Sequence, residues 1–338
     1  GSTGHPGIFL TDRGEWSTVI ASYARAQEWA GIAAKLTNRT RLAVVSSRVP
    51  WHQSARVAAS VDTPFLPVRR FDATQPLSEI VRGLNDWQPE NLIVYASMSR
   101  VLAEEQLAGR LRIKPRAVMC SSEVLTPEAV SRVERAWGSV PFNVYAATET
   151  AGIASHCRSH RLHLFEDLVI SEIVDEHNRP VPPATVGAKL LVTVLFSRTQ
   201  PLIRYEMSDR VAASTETCDC GLPFALLSSI EGRAEDILQL ATPAGGTISV
   251  HPNVFHRVLE PLPAREWQVV QEPARLRVLV VEPRSDVVLD QVRRDVEASL
   301  RSAGVAPPPI DVELADAVTR TPLGKAPLVR GLHEGRVS

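Results

Sequence analysis

LAVVSS (42–47), FLPVRRF (65–71), LSEIVRGLNDW (77–87), NLIVYAS (91–97), VLAEEQLAGRL (101–111), AVMCSSE (117–123), TPEAVSRVERAW (126–137) and FNVYAATE (142–149) follow one another along the chain. Apolar runs of strand length alternate with segments of helical period, the βαβ rhythm of a mostly parallel, helix-covered sheet. Such sheets bind ligands at the carboxyl ends of their strands. The segments after Ser97, Cys120 and Tyr145 are therefore where a site is expected.

Past Gly152 the pattern changes. LHLFEDLVISEIVD (162–175), a Pro-rich turn at Pro180–Pro183 and KLLVTVLF (189–196) read as consecutive strands of an antiparallel or barrel-like part. Beyond Asp236 the order is strand (EWQVVQ), strand (RLRVLVVEP), a helix near Asp286–Ala303, strand (IDVELADA) and the loop TRTPLGKAP, which fits a small α+β domain. The expected division is a core of residues 1–234, doubly wound over 1–150 and β-rich over 151–234, followed by a small domain of 235–338. No internal repeat or low-complexity segment interrupts it.

With 338 residues, two domains are the default. Charge is balanced, 37 basic against 38 acidic residues, which argues against a general binder of nucleic acid or of anionic membrane and favours a small-molecule partner. No apolar run is long enough to span a bilayer, and the first residues lack the basic and apolar regions of a secretory signal, so a soluble, cytoplasmic protein is expected. Four Cys in so long a chain read as reduced thiols or metal ligands rather than a disulfide framework.

PLIRYEMSDR (201–210), CDCG (218–221) and GRAED (232–236) set an acid, Asp209, a thiol pair, Cys218 and Cys220, and a Gly-Arg step, Gly232 and Arg233, on loops between apolar strands. The combination points to a nucleotide site beside a metal clip. Cys218 and Cys220 with Cys157 and one of His163, His160 or His156 would make a closed tetrahedral zinc site, although Cys-x-Cys is tighter than the commoner finger knuckle. The alternative is a set of unconnected thiols and histidines. Cys120, on a sheet strand, reads as core or pocket wall.

Five segments in order, GSTGHPG, VYAATE, PLIRYEMSDR, EGRAED and TPLGKAP, make the chain resemble adenylate-forming enzymes of the phenylacetate-CoA ligase type over nearly its whole length. The resemblance implies that Ser2, Thr3 and Gly4 belong to a loop for ATP phosphates, where backbone N–H groups and hydroxyls supply donors. The family's usual Lys in that loop is absent here. The family also has a further region before the loop, which implies a chain truncated at its start. Tyr145 is expected against adenine, Thr148 on phosphate and Glu149 on magnesium. Ala146 stands where the family commonly has Gly, narrowing the acid pocket expected near Ser121, Ser122, Glu123, Ala146 and Ala147.

By the same resemblance, Asp209 accepts both ribose hydroxyls and Arg233 reaches the ribose or phosphates. Arg204 is expected on phosphate or, equally, as the ion-pair partner of a nearby acid. Glu235 matches the hinge about which the small domain turns between half-reactions. Lys325 bridges the attacking carboxylate and the α-phosphate. The implied reaction joins a carboxylic acid, with an aromatic acid as first choice, to AMP from magnesium ATP and then to coenzyme A. Transfer to a carrier-protein thiol or another nucleophile is the first alternative, and a non-catalytic nucleotide-binding relative the second. A homodimer is the family-based expectation for assembly.

Overall fold

A computed structural model describes residues 7–32, 40–48, 53–233, 238–250, 252–320 and 325–332 of the chain. It divides into two compact units, Gly1–Gly232 with Thr321–Lys325 and Arg233–Arg320 with Ala326–Ser338.

The first unit is built on a nine-stranded sheet. Its parallel half is β1 (Leu42–Ser46), β2 (Val68–Asp72), β3 (Asn91–Tyr95), β4 (Ala117–Ser121) and β5 (Phe142–Ala147), in spatial order β2-β1-β3-β4-β5. β1 is buried at every position, as expected for a strand covered on both faces. The helices between these strands are α2 (Gln53–Ser60), α3 (Leu77–Trp87), α4 (Ala96–Leu107) and α5 (Pro127–Trp137). α5 has clear local causes. Thr126 caps the Ala129 N–H, Pro127 occupies the first turn, and Gly138 leaves the helix in the left-handed region at φ 72°.

β6 (Ala151–His156) turns antiparallel to β5 and β7 (Leu162–Leu164) antiparallel to β6, and β12 (Leu226–Arg233) and β11 (Asp209–Ala213) complete the sheet. The remaining β-rich segments, β8 (Val169–Val174), β9 (Lys189–Val194) and β10 (Tyr205–Met207), form a separate antiparallel sheet. Ile153, Leu164, Val192 and Val211 share one apolar cluster with them. α1 (Arg13–Trp29), ahead of all the strands, opens with a capping box in which Asp12 and Glu15 satisfy each other's backbone N–H groups. Its buried face is Glu15, Val19, Ser22 and Ala26. Gly152 on β6 lies where that helix and Phe165 converge, and a Cβ there would stand 2.6 Å from the Phe165 ring.

The second unit has a four-stranded sheet in the order β17 (Ile310–Ala315), β16 (Arg275–Pro283), β15 (Ala264–Glu272) and β18 (Val329–Arg330), with α6 (Asn253–Leu259), α7 (Leu289–Ser302) and a hairpin of β13 (Leu238–Ala241) and β14 (Thr247–Val250). Trp267, Phe255, Val296 and Leu300 are buried together at its centre. Among the described residues no helix is long and apolar enough to cross a membrane.

Candidate functional site

The parallel strands bring several sequence-singled residues to one edge. Register aligns Tyr95 with Ser121 and Ser121 with Val144, so β3 and β4 end level with one another while β5 runs on to Ala147. Just past these ends Glu123 turns back, its carboxylate accepting the Ser97 N–H at 2.8 Å, while Ser122 takes a left-handed backbone at φ 70°. A shift in register between Tyr145 and Ala146 then redirects β5 as Ala146 and Ala147 pair with Gly152 and Ala151. Tyr145 itself is buried within the apolar cluster of β6 and β9. Cys120 is fully buried and burial pushes its thiol up to about 12, so it is neutral wall rather than nucleophile.

Thr148 and Glu149, in the turn after β5, line a cleft with Phe9, Leu10, Phe196 and Gln200. The segment that follows the Gly-rich start is fastened beside them. Gln200 Oε1 accepts the Leu10 N–H at 2.7 Å and its Nε2 donates to the Ile8 carbonyl at 3.3 Å. Glu15 Oε1 accepts the N–H groups of Arg198 and Thr199 at 2.5 and 2.7 Å, and its other oxygen accepts from Asp12. Backbone donors, Thr199 first, hold the Glu15 carboxyl down at about 2. Gln53 adds a bond from its Nε2 to the Thr148 carbonyl at 3.1 Å and accepts from Tyr23. Glu15, Gln53 and Gln200 were not singled out by motif. Only Glu15 carried a local signal, the Asp-x-x-Glu of a capping box.

Asp209 begins β11 and is 8 % exposed. Arg204, at φ 48°, directs its Nε to Glu172 at 3.1 Å, which is the ion-pair alternative for that residue. Lys325 is half-buried. Ser2, Thr3, Gly4, Glu235 and the Arg233 side chain lie outside the described residues. Gly232 sits just before them at φ 105°, a backbone that side chains rarely adopt.

The thiols assemble. Sγ of Cys157, Cys218 and Cys220 and a ring nitrogen of His163 all lie within 4.8 Å of one another. Cys157 and Cys218 sulfurs are 3.7 Å apart, and Cys220 Sγ is 3.2 Å from His163 Nε2. A tetrahedral ion with metal–sulfur bonds of 2.3 Å would set two sulfurs about 3.8 Å apart. His163 Nδ1 meets the Phe224 carbonyl at 3.0 Å; a carbonyl only accepts, so Nδ1 carries the proton and Nε2 offers its lone pair to the thiols. Burial also lowers the His163 pKa, which favours the neutral ring. Burial opposes ionisation of Cys157, but backbone donors and the neighbouring thiols outweigh it and lower its pKa. Of the other histidines, His156 Nδ1 accepts the Asn143 N–H at 3.1 Å and His160 stacks on Phe142. The donor set and spacing therefore fit a thiophilic divalent ion held by three cysteines and His163.

No family model matches the chain. It is similar to the phenylacetate-coenzyme A ligase of Thermus thermophilus, 28 % identical over 273 residues that make up 73 % of this chain and 60 % of that protein. The chain thus spans about three fifths of that relative's length. Among solved structures it is similar to 2-hydroxyisobutyryl-CoA ligase in complex with an acyl-adenylate, at a TM-score of 0.77 and 20 % identity over 98 % of this chain and 73 % of that one. The amide bond synthetase McbA of Marinactinospora thermotolerans follows at a TM-score of 0.62 and 18 % identity, covering 92 % of this chain and 64 % of its own. The chain has the adenylate-forming fold.

Proposed function

We propose that this phenylacetate-CoA ligase-like chain of the adenylate-forming superfamily activates a carboxylic acid with ATP and passes the acyl group to coenzyme A. The observation that carries this reading is the cleft after β5, where Thr148 and Glu149 stand beside Phe9 and Leu10, the residues that follow GSTGHPG in the sequence. The curated relative is itself a CoA ligase, and the 2-hydroxyisobutyryl enzyme carries an acyl-adenylate.

In the first step a carboxylate oxygen bonds to the α-phosphorus of ATP as the bond to the α,β-bridging oxygen breaks, releasing pyrophosphate. Lys325 stabilises the charge that develops there, and Thr148 with Ser2, Thr3 and Gly4 holds phosphate oxygens. Asp209 takes the ribose hydroxyls, Arg233 the phosphates, and Tyr145 borders the adenine. Glu149, a half-buried carboxylate on the cleft, would hold magnesium, which when bound offsets phosphate charge. The acid sits among Ser121, Ser122, Glu123, Ala146 and Ala147, with an aromatic acid favoured. In the second step the thiol loses its proton and attacks the acyl carbon, expelling AMP, after residues 235–338 turn about Glu235 on the 1–234 core.

Cys157, His163, Cys218 and Cys220 would hold zinc as a structural brace away from the reacting atoms. The likeness to an amide bond synthetase favours, as second reading, an amine as acceptor in place of coenzyme A. Pyrophosphate release from the full-length, metal-loaded protein across a panel of acids tests the reading. Acid-dependent release, with thioester when coenzyme A is added, is expected. ATP binding without turnover of any acid would leave a nucleotide-binding relative instead.

A further inference from the structure

Thr319 and Pro327, on either side of Lys325 in the chain, are held together by one side chain from the middle of a strand. Gln268 on β15 is fully buried, 0 % exposed, between Trp267 and Val269 of the apolar centre of its unit. Its Nε2 donates to the carbonyls of Thr319 and Pro327, both at 2.8 Å, and its Oε1 accepts the Thr319 N–H at 3.0 Å. Both ends of the 319–327 segment thus meet on one amide. A primary amide withdrawn from water is costly unless its donors and acceptor are satisfied. An apolar residue would fill a central strand position without that cost, and here, among the described residues, the amide bonds Thr319 and Pro327.

Two independent contacts act in the same direction. Glu266, two residues earlier on the same face of β15 and 4 % exposed, accepts from Arg320 Nη2 at 2.7 Å. Glu266 pairs in register with Val281, and Val281 packs against Val318 and Ala326, the apolar residues flanking the neck. Immediately afterwards the chain enters β18, where Val329 pairs with Val269 of β15. The entry and exit of the loop are therefore tied to a single rigid strand by an amide, an ion pair and an apolar contact.

We infer that Gln268, assisted by Glu266, is a positioning residue that fixes the loop presenting Lys325 for adenylation. The inference rests on the reading of Lys325 as the lysine that serves the first half-reaction. Charge stabilisation by a lysine depends on placement, and an error of about 1 Å made far from the chemistry can cost about a hundredfold in rate. The clamp should therefore act on one half-reaction and leave the other alone, a split that a merely structural residue does not produce.

The test uses the full-length protein and both half-reactions. Gln268→Met should lower single-turnover pyrophosphate release by about tenfold to a hundredfold. The KM for ATP and thioester formation from supplied acyl-adenylate should change little. Adding Gln268→Met to Lys325→Ala should give no further loss, because the two act through one group. Glu266→Gln should give a smaller loss confined to the same step. Equal losses in both half-reactions, unchanged adenylation, or multiplying losses in the double variant would overturn the inference. Should Gln268→Met fail to fold, Glu266→Gln together with hydrogen exchange of the wild-type Thr319 amide decides. A protected amide and a selective loss support the clamp, and an unprotected amide overturns it. Silence of Lys325→Ala, or a wild type inert toward every acid, would instead sink the functional reading and the positioning role with it. The Thr319 amide would then still report whether Gln268 holds the neck.

Discussion

His163 Nε2 and Cys220 Sγ, 57 residues apart in sequence, lie 3.2 Å from each other because two strands converge on one point. His163 is paired with Ser155 of β6 on one side and with Leu226 of β12 on the other. Cys157 follows the first of these strands, and Cys218 and Cys220 precede the second. An ion bound there would join the β6–β7 hairpin to the segment entering β12, a crossing also spanned by the Arg161–Glu216 ion pair.

Elemental analysis of the purified protein is expected to give about one zinc per chain. Cys218→Ser or exhaustive chelation should lower the melting temperature, because binding energy at a site that exists only in the folded chain is folding energy. In a unit of this size each kcal/mol is worth about 2 to 4 °C. A metal-free chain with an unchanged melting temperature would remove the brace.

Glu15 gives a pH signature. Its folded pKa of about 2 lies below the ordinary carboxyl value of 4.5, so its contribution is fully present above pH 4.5 and is lost as pH falls toward 2. Glu15→Gln turns the acceptor facing the Asp12 N–H, or those facing Arg198 and Thr199, into a donor. The variant should therefore melt below wild type at pH 7, and the gap should narrow between pH 4.5 and 2. A gap that stays constant across that range, measured by thermal melts, would show that the carboxylate's charge is not what holds the 197–200 segment.

What the sequence makes legible depends on how each element buries its residues. β1 and β3 read directly as strands because they are nearly continuous apolar runs, buried along their length. α1 carries no such signal, since its buried face is Glu15, Val19, Ser22 and Ala26, small or polar side chains rather than leucines. β7 is three residues long, too short to read apart from its surroundings. The thiol pair is conspicuous in the sequence, yet three histidines, His156, His160 and His163, stand near Cys157 along the chain, and only the fold brings His163 to the thiols. Gln268 and Glu266 are hidden for the opposite reason. A polar residue in a strand reads as facing solvent, whereas these two are buried to serve a loop more than fifty residues away.

Gly152→Ala probes the junction of α1 with β6. The added Cβ would meet Phe165 ring carbons at 2.6 and 2.9 Å and Ser22 Cβ at 3.3 Å, and Phe165 is fully buried. The Gly152 N–H also donates to Ser22 Oγ at 3.2 Å, so a shift of either element strains that bond. Overpacking of this kind costs about 1 to 3 kcal/mol. A chemical denaturation midpoint equal to that of wild type would mean that the helix yields freely, contrary to the close packing described.

Lys325→Ala separates chemistry from binding. If the lysine acts on charge that develops only as the carboxylate bonds to the α-phosphorus, its removal should lower adenylation by about a hundredfold to a thousandfold, the usual cost of losing one preorganised donor. ATP affinity should change far less, since a contact made only in the transition state contributes little to the ground state. Thioester formation from supplied acyl-adenylate should persist, because the bond to phosphorus is already made. Pyrophosphate release, ATP binding and thioester formation are therefore to be measured on the same preparation. Loss of all three together would place Lys325 in the structure of its loop rather than in the reaction, whereas loss of the first alone is what the mechanism requires.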